Sequence, residues 1–177
     1  MIMANSGFMK KIGIMIDDGF HDLELWIPYY RFKEENINFD VLAFEDRDYK
    51  GVYGLDSVKP TQLLGQIDTR YDLVYIPGAN SPSNLLKHPE TVETIKNMSA
   101  EGSSFATICH GPLLLAEAGL LYGKEITGHP SIKEEIESKG AKYVDLPYIR
   151  SSENIMSGKT HFQIDQMMPE MLRFLER

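Results

Sequence analysis

The sequence predicts an α/β fold with a mainly parallel central sheet and helices on both faces. Three observations predict it. Short, continuous apolar runs such as KKIGIMI, FDVLAF and YDLVYI read as buried strands rather than half-exposed ones. Segments with apolar residues at helical spacing lie between them. Turn formers follow the runs: Asp17-Asp18-Gly19, Pro77-Gly78 and His110-Gly111-Pro112. Strands alternating with helices build parallel sheets covered on both sides.

The elements follow in order. Lys10–Ile16 is the first strand. Asp22–Glu35 is helical, with Leu23, Ile27 and Tyr30 among its periodic apolar positions. Pro28 lacks an N–H and opposes the Glu24 carbonyl, so the helix is expected to kink or begin there. Phe39–Phe44 is a second strand, and Tyr49–Pro60, with its glycines and alternation, reads as a hairpin excursion. Tyr71–Ile76 and Ser104–Ile108 are the third and fourth strands. Helices are expected over Pro89–Ala100, Gly111–Ala118, Ile132–Lys139 and Asp165–Glu176, and short strands over Tyr148–Arg150 and Asn154–Met156. Residues 10–177 read as one domain after a loose extension over residues 1–9. In such folds ligands sit beyond the carboxyl ends of the strands, so Asp17–Glu24, Pro77–Ser83 and Cys109–Pro112 should converge.

Composition narrows the function. Of 177 residues, 42% are hydrophobic and 25% charged, which suits a globular domain with a full core. No apolar run reaches the roughly 18 residues of a membrane span, and the N-terminus lacks the order of a signal peptide. Net charge is −8 with no basic stretch, which disfavours nucleic acid as a partner. A single cysteine forms neither an internal disulfide nor a zinc cluster by itself, and it fits a reducing cytoplasm.

That cysteine lies in ATICHGP, residues 106–112. Read as strand, turn and helix, Thr107-Ile108-Cys109-His110-Gly111 has the spacing of a nucleophile elbow, with Gly111 at the second small position and Thr107 at the first. A helix N-terminus beneath Cys109 is expected to lower the thiol pKa. The alternative is a buried, inert filler, the commoner fate of free cysteine.

ATICHGP resembles the nucleophile motif of the ThiJ/PfpI superfamily, whose members include intracellular peptidases, glyoxalases and the Parkinson-linked type of protein deglycase. DDGFHDLELWIPYYRFKEE is similar to that family's first turn and helix, YDLVYIPGA to its strand ending in Pro-Gly-Gly, and LLLAEAGLLYGKEITGHPSIKEEI continues the pattern. The resemblance implies a flavodoxin-like three-layer sandwich, related to the class I glutamine amidotransferases. It implies that Cys109 is the nucleophile and that Glu24 lies beside its sulfur. Two adjacent anions are unfavourable, so one of the pair stays protonated. Glu24 read alone is equally a first-turn acid that complements a helix dipole. The main-chain N–H groups of Ala79 and His110 would form an oxyanion hole. Ala79 stands where the family has a second glycine.

His110 follows the nucleophile, as the peptidase branch's base does. The acid that orients that base would fall near Ser83, and His21 stands where another acid is common. Both departures weaken a peptidase reading, and His110 is equally a packing or interface residue. His129 matches the deglycase branch and, with Gly78 and His21, is a candidate pocket residue. His88-Pro89-Glu90 reads as a loop leading into a helix.

The implied activity is cofactor-independent chemistry on small aldehydes or their protein adducts, with no metal. The alternatives are a cysteine peptidase or amidase, and a redox-sensing stress-response protein whose thiol oxidises to a sulfenic or sulfinic acid. The expected partners are a small carbonyl compound or peptide as substrate, and further copies of the chain in a homodimer or larger assembly.

Overall fold

A computed structural model describes residues 10–176; the expectation of a loose segment over residues 1–9 lies outside them. The strands are β1 (Lys11–Met15), β2 (Asn38–Ala43), β3 (Tyr49–Lys50), β4 (Ser57–Val58), β5 (Gln62–Leu63), β6 (Leu73–Ile76), β7 (Ser104–Ile108), β8 (Glu125–Ile126), β9 (Lys142–Tyr143), β10 (Tyr148–Arg150) and β11 (Ile155–Gly158). The helices are α1 (Asp22–Glu34), α2 (Ser81–Leu85), α3 (Thr91–Ala100), α4 (Pro112–Glu117), α5 (Lys133–Ser138) and α6 (Ile164–Leu175).

Seven strands form the central sheet in the order β10-β11-β7-β6-β1-β2-β5. All neighbours run parallel except β10, which is antiparallel to β11. From β1 the chain goes first to β2 on one side and later to β6 on the other. The strand order therefore reverses at β1/β6, where such sheets leave a crevice at their carboxyl ends.

Alternation along the strands divides the core. Ile12, Ile14, Leu73, Tyr75, Ala106 and Ile108 face one layer with Leu25 and Phe32 of α1 and the α6 methionines. Met15, Val74, Ile76 and Phe105 face the other, against Ile95 of α3, Leu113–Leu115 of α4 and Ile136 of α5. Burial on both faces explains why these strands read as unbroken apolar runs.

The structure settles two points about the first helix. Leu23, Ile27 and Tyr30 do not face the core: they are 42%, 39% and 60% exposed, while Asp22, Glu24, Leu25, Pro28 and Phe32 are buried. Nor does the helix begin at Pro28, for α1 runs through it from Asp22. The Glu24 carbonyl, deprived of its intrahelical donor by the proline, accepts from the buried Tyr75 hydroxyl at 2.6 Å.

The expected hairpin exists as antiparallel β3 and β4. Sequence patterning missed β5, α2 and the parallel pair β8/β9, which are short segments without a full period to read.

Candidate active site

Three chain corners meet at the carboxyl ends of β1, β6 and β7. The β7–α4 corner is an elbow. Cys109 has φ +60°, a region that non-glycine residues rarely occupy without tertiary support. That support is visible. The Cys109 N–H donates to the Gly158 carbonyl at 3.1 Å, and its carbonyl accepts from the His129 N–H at 2.8 Å. A Cβ at position 111 would lie 2.6 Å from the Ile76 carbonyl, so the second small position of the elbow must be glycine.

The β6 corner fits against it. A Cβ on Gly78 would lie 2.5 Å from the Cys109 Cβ and 2.9 Å from Glu24 Oε2. Glycine therefore lets sulfur and carboxyl approach across this strand end. Ala79 has φ +56° and occupies the left-handed region its family position favours for glycine. Its N–H and that of His110 both act on the Cys109 sulfur and favour a thiolate.

Glu24 comes from the first turn of α1 and is fully buried. Its Oε2 accepts from the Gly78 N–H at 2.7 Å, while Oε1 has no partner of normal hydrogen-bond geometry. Burial raises its pKa to about 7; the Gly78 N–H, the Cys109 side chain and the His161 N–H oppose that rise. Both groups have raised pKa values, which favours a proton on the pair.

The expected lowering of the thiol pKa is overturned. Burial, followed by the Glu24 charge, pushes Cys109 up to about 12 against the two N–H groups. Helix α4 has only six residues, and its dipole does not offset desolvation of a residue only 5% exposed. The raised pKa favours the thiol form of Cys109 at neutral pH.

His110 touches Cys109, with Nδ1 3.1 Å from Sγ. No acid orients it among the described residues: its Nε2 meets the Ser131 hydroxyl at 3.1 Å. The His129 ring stacks on it at 4.7 Å, and His129 Nδ1 meets the same hydroxyl at 2.7 Å. Burial and then His129 lower the His110 pKa. Ser83 lies in α2, and no acid stands in its place.

On the other side of Glu24, buried His21 stacks on His161 with centroids 4.2 Å apart and meets the Tyr53 ring edge-on. Sequence reasoning missed His161, which stands in no motif of the sequence and reaches the site only through the fold. It also missed Tyr75 and Ser131, whose roles arise from long-range contacts. His88, read as a loop residue, precedes α3 and pairs its Nε2 with Asp17 Oδ2 at 2.9 Å. Asp22 takes no part at the sulfur; its carboxylate accepts from the Tyr53 and Leu55 N–H groups and ties the hairpin to α1.

A flavodoxin-like sheet with a buried cysteine on a strained elbow, facing a protonatable glutamate, defines a class of α/β proteins with a thiol at the strand ends. A sequence model described as the DJ-1/PfpI family matches residues 10–173, and the chain belongs to that family. It is 32% identical over 167 residues to Deglycase PfpI of Pyrococcus furiosus, covering 94% of this chain and 99% of that one. It is 30% identical to the Putative cysteine protease YraA of Bacillus subtilis over 169 residues, covering 94% and 99%. The solved structure of Schizosaccharomyces pombe DJ-1 superposes with a TM-score of 0.80 at 25% identity, covering 92% of this chain and 90% of that one. Among the described residues, no helix is long and apolar enough to cross a membrane.

Proposed function

We propose that this protein is a Cys109-dependent enzyme acting on small aldehydes such as methylglyoxal, or on the adducts they leave on proteins. The observation that carries this reading is the buried Cys109/Glu24 pair, both with raised pKa values, beside two main-chain donors to the sulfur. Relatives named as deglycases support it. Sulfur adds to the aldehyde carbon and the carbonyl π pair moves onto oxygen, where the N–H groups of Ala79 and His110 receive it. The thiol proton passes to Glu24 as the S–C bond forms. With methylglyoxal, Glu24 returns that proton to the alkoxide oxygen. As a carboxylate it then takes the C–H proton of the former aldehyde carbon and delivers it to the neighbouring carbon, while the hydroxyl proton passes to that carbon's oxygen, converting the hemithioacetal to a thioester. Water cleaves the thioester, releasing lactate and restoring the thiol. The purified protein should convert methylglyoxal to lactate, and Cys109→Ala and Glu24→Gln should both fall to the uncatalysed rate. Lactate formation by Cys109→Ala at the wild-type rate would end this reading.

The Cys109–His110 contact favours a second reading, a peptidase or amidase. It requires a carboxylate within about 3.2 Å of His110, supplied by another copy of the chain. We also infer that copies associate through the exposed Leu23, Ile27 and Tyr30 stripe of α1, and that they reside in a reducing cytoplasm, as one free cysteine favours.

A further inference from the structure

We propose that His21, Glu24 and His161 form a binding site for one divalent transition-metal ion of the zinc class. The three come from two stretches of chain: the cap and first turn of α1 supply His21 and Glu24, and the short turn after β11 supplies His161. Each offers one ligand atom, and these atoms all lie within 4.8 Å of one another.

A second observation points to a ligand. His21 is only 7% exposed, yet neither of its ring nitrogens has a hydrogen-bond partner, and neither does buried Glu24 Oε1. A buried polar atom left unpaired is costly, so a buried ring with both nitrogens unpaired, beside a carboxyl oxygen without a partner of normal geometry, is unusual in a folded interior. The neighbouring acid is not available to relieve them, because the Asp22 carboxylate is committed to Tyr53 and Leu55.

The donor chemistry selects the ion. Two imidazole nitrogens and one carboxylate oxygen suit zinc, cobalt or nickel, whereas magnesium and calcium prefer oxygen alone. Tetrahedral bonds of about 2.0–2.1 Å place ligand atoms about 3.4 Å apart. The present set therefore has to draw in, with the stacked rings opening from their interplanar angle of 23°. Oε2 of Glu24 stays held by the Gly78 N–H, an outer contact that orients the carboxylate. Three protein ligands leave a fourth position of a tetrahedral ion for water or another donor. The site does not depend on the aldehyde chemistry, and a bound ion commits the Glu24 carboxylate that this chemistry uses.

The test is binding, not turnover. Co²⁺ titrated into the full chain should develop visible d–d bands that saturate at a single ion per chain, and equilibrium dialysis with Zn²⁺ should give the same stoichiometry. His21→Ala and His161→Ala should each weaken binding by at least about 100-fold, the upper range for losing even an outer-shell partner. His21→Asn and His161→Gln, checked by circular dichroism, serve where an alanine variant does not fold. Cys109→Ser should keep the bands. Absence of saturable binding, binding that survives both histidine variants, or binding lost in Cys109→Ser but kept in the histidine variants would overturn the site.

Discussion

Two residues at the site stand in backbone conformations that cost free energy, and they do so for different reasons. Cys109 must be a cysteine for its sulfur to exist at the corner, so its φ of +60° is a fixed cost of the elbow. Ala79 at φ +56° contributes only its main chain. Ala79→Gly should therefore raise stability by about 1 kcal/mol, because relief of left-handed strain exceeds the added freedom of the unfolded glycine. Urea unfolding of the two proteins checks this, and a lower midpoint for the glycine variant would show that the alanine is unstrained.

At the scale of elements, α1 is attached to β6 by a contact that the proline creates. Pro28 leaves the Glu24 carbonyl without an intrahelical donor, and Tyr75 of β6 supplies one from the sheet face against which α1 packs. The same residue whose carboxyl faces the sulfur is thereby fixed at its backbone. Tyr75→Phe removes the hydroxyl, buries an unsatisfied carbonyl and should destabilise the fold by about 1–3 kcal/mol. Its thermal midpoint should fall, while Tyr71→Phe is unsuitable as a control because Tyr71 bonds Asp40.

Over the whole molecule, Glu24 couples folding to pH. Its folded pKa of about 7 lies above its ordinary value of 4.5, so the folded state binds more protons between those limits. Stability from this group is complete below about pH 4.5, declines as pH rises to about 7, and is level above that. The full loss is at most about 3 kcal/mol, from 1.36 kcal/mol per pKa unit. Unfolding free energies of wild type and Glu24→Gln across pH 4.5–7.5 should diverge by that amount, and parallel curves would refute the shift. The proposed association of copies belongs to this scale too. Ile27→Glu, in the middle of the exposed α1 stripe, should lower the mass measured by light scattering to that of a single chain, without changing the far-ultraviolet spectrum.

The alternation of strands and helices is legible in the chain, because strands buried on both faces leave unbroken apolar runs. So is the elbow, because Cys109 and Gly111 satisfy a local backbone requirement within a few residues. Glu24 was legible through family resemblance, not through its own surroundings. Only the tertiary structure decided which face of α1 is buried: Leu23, Ile27 and Tyr30 keep helical spacing whether they meet a core or solvent. It alone decided the state of the thiol, since desolvation and the charge of Glu24 act across 85 residues of chain and outweigh a short helix. It alone brought His161 beside His21 and Ser131 between His110 and His129. Hydrogen bonds and ring contacts between distant segments leave no periodic trace in the chain, so their partners become visible only when the strands are laid side by side.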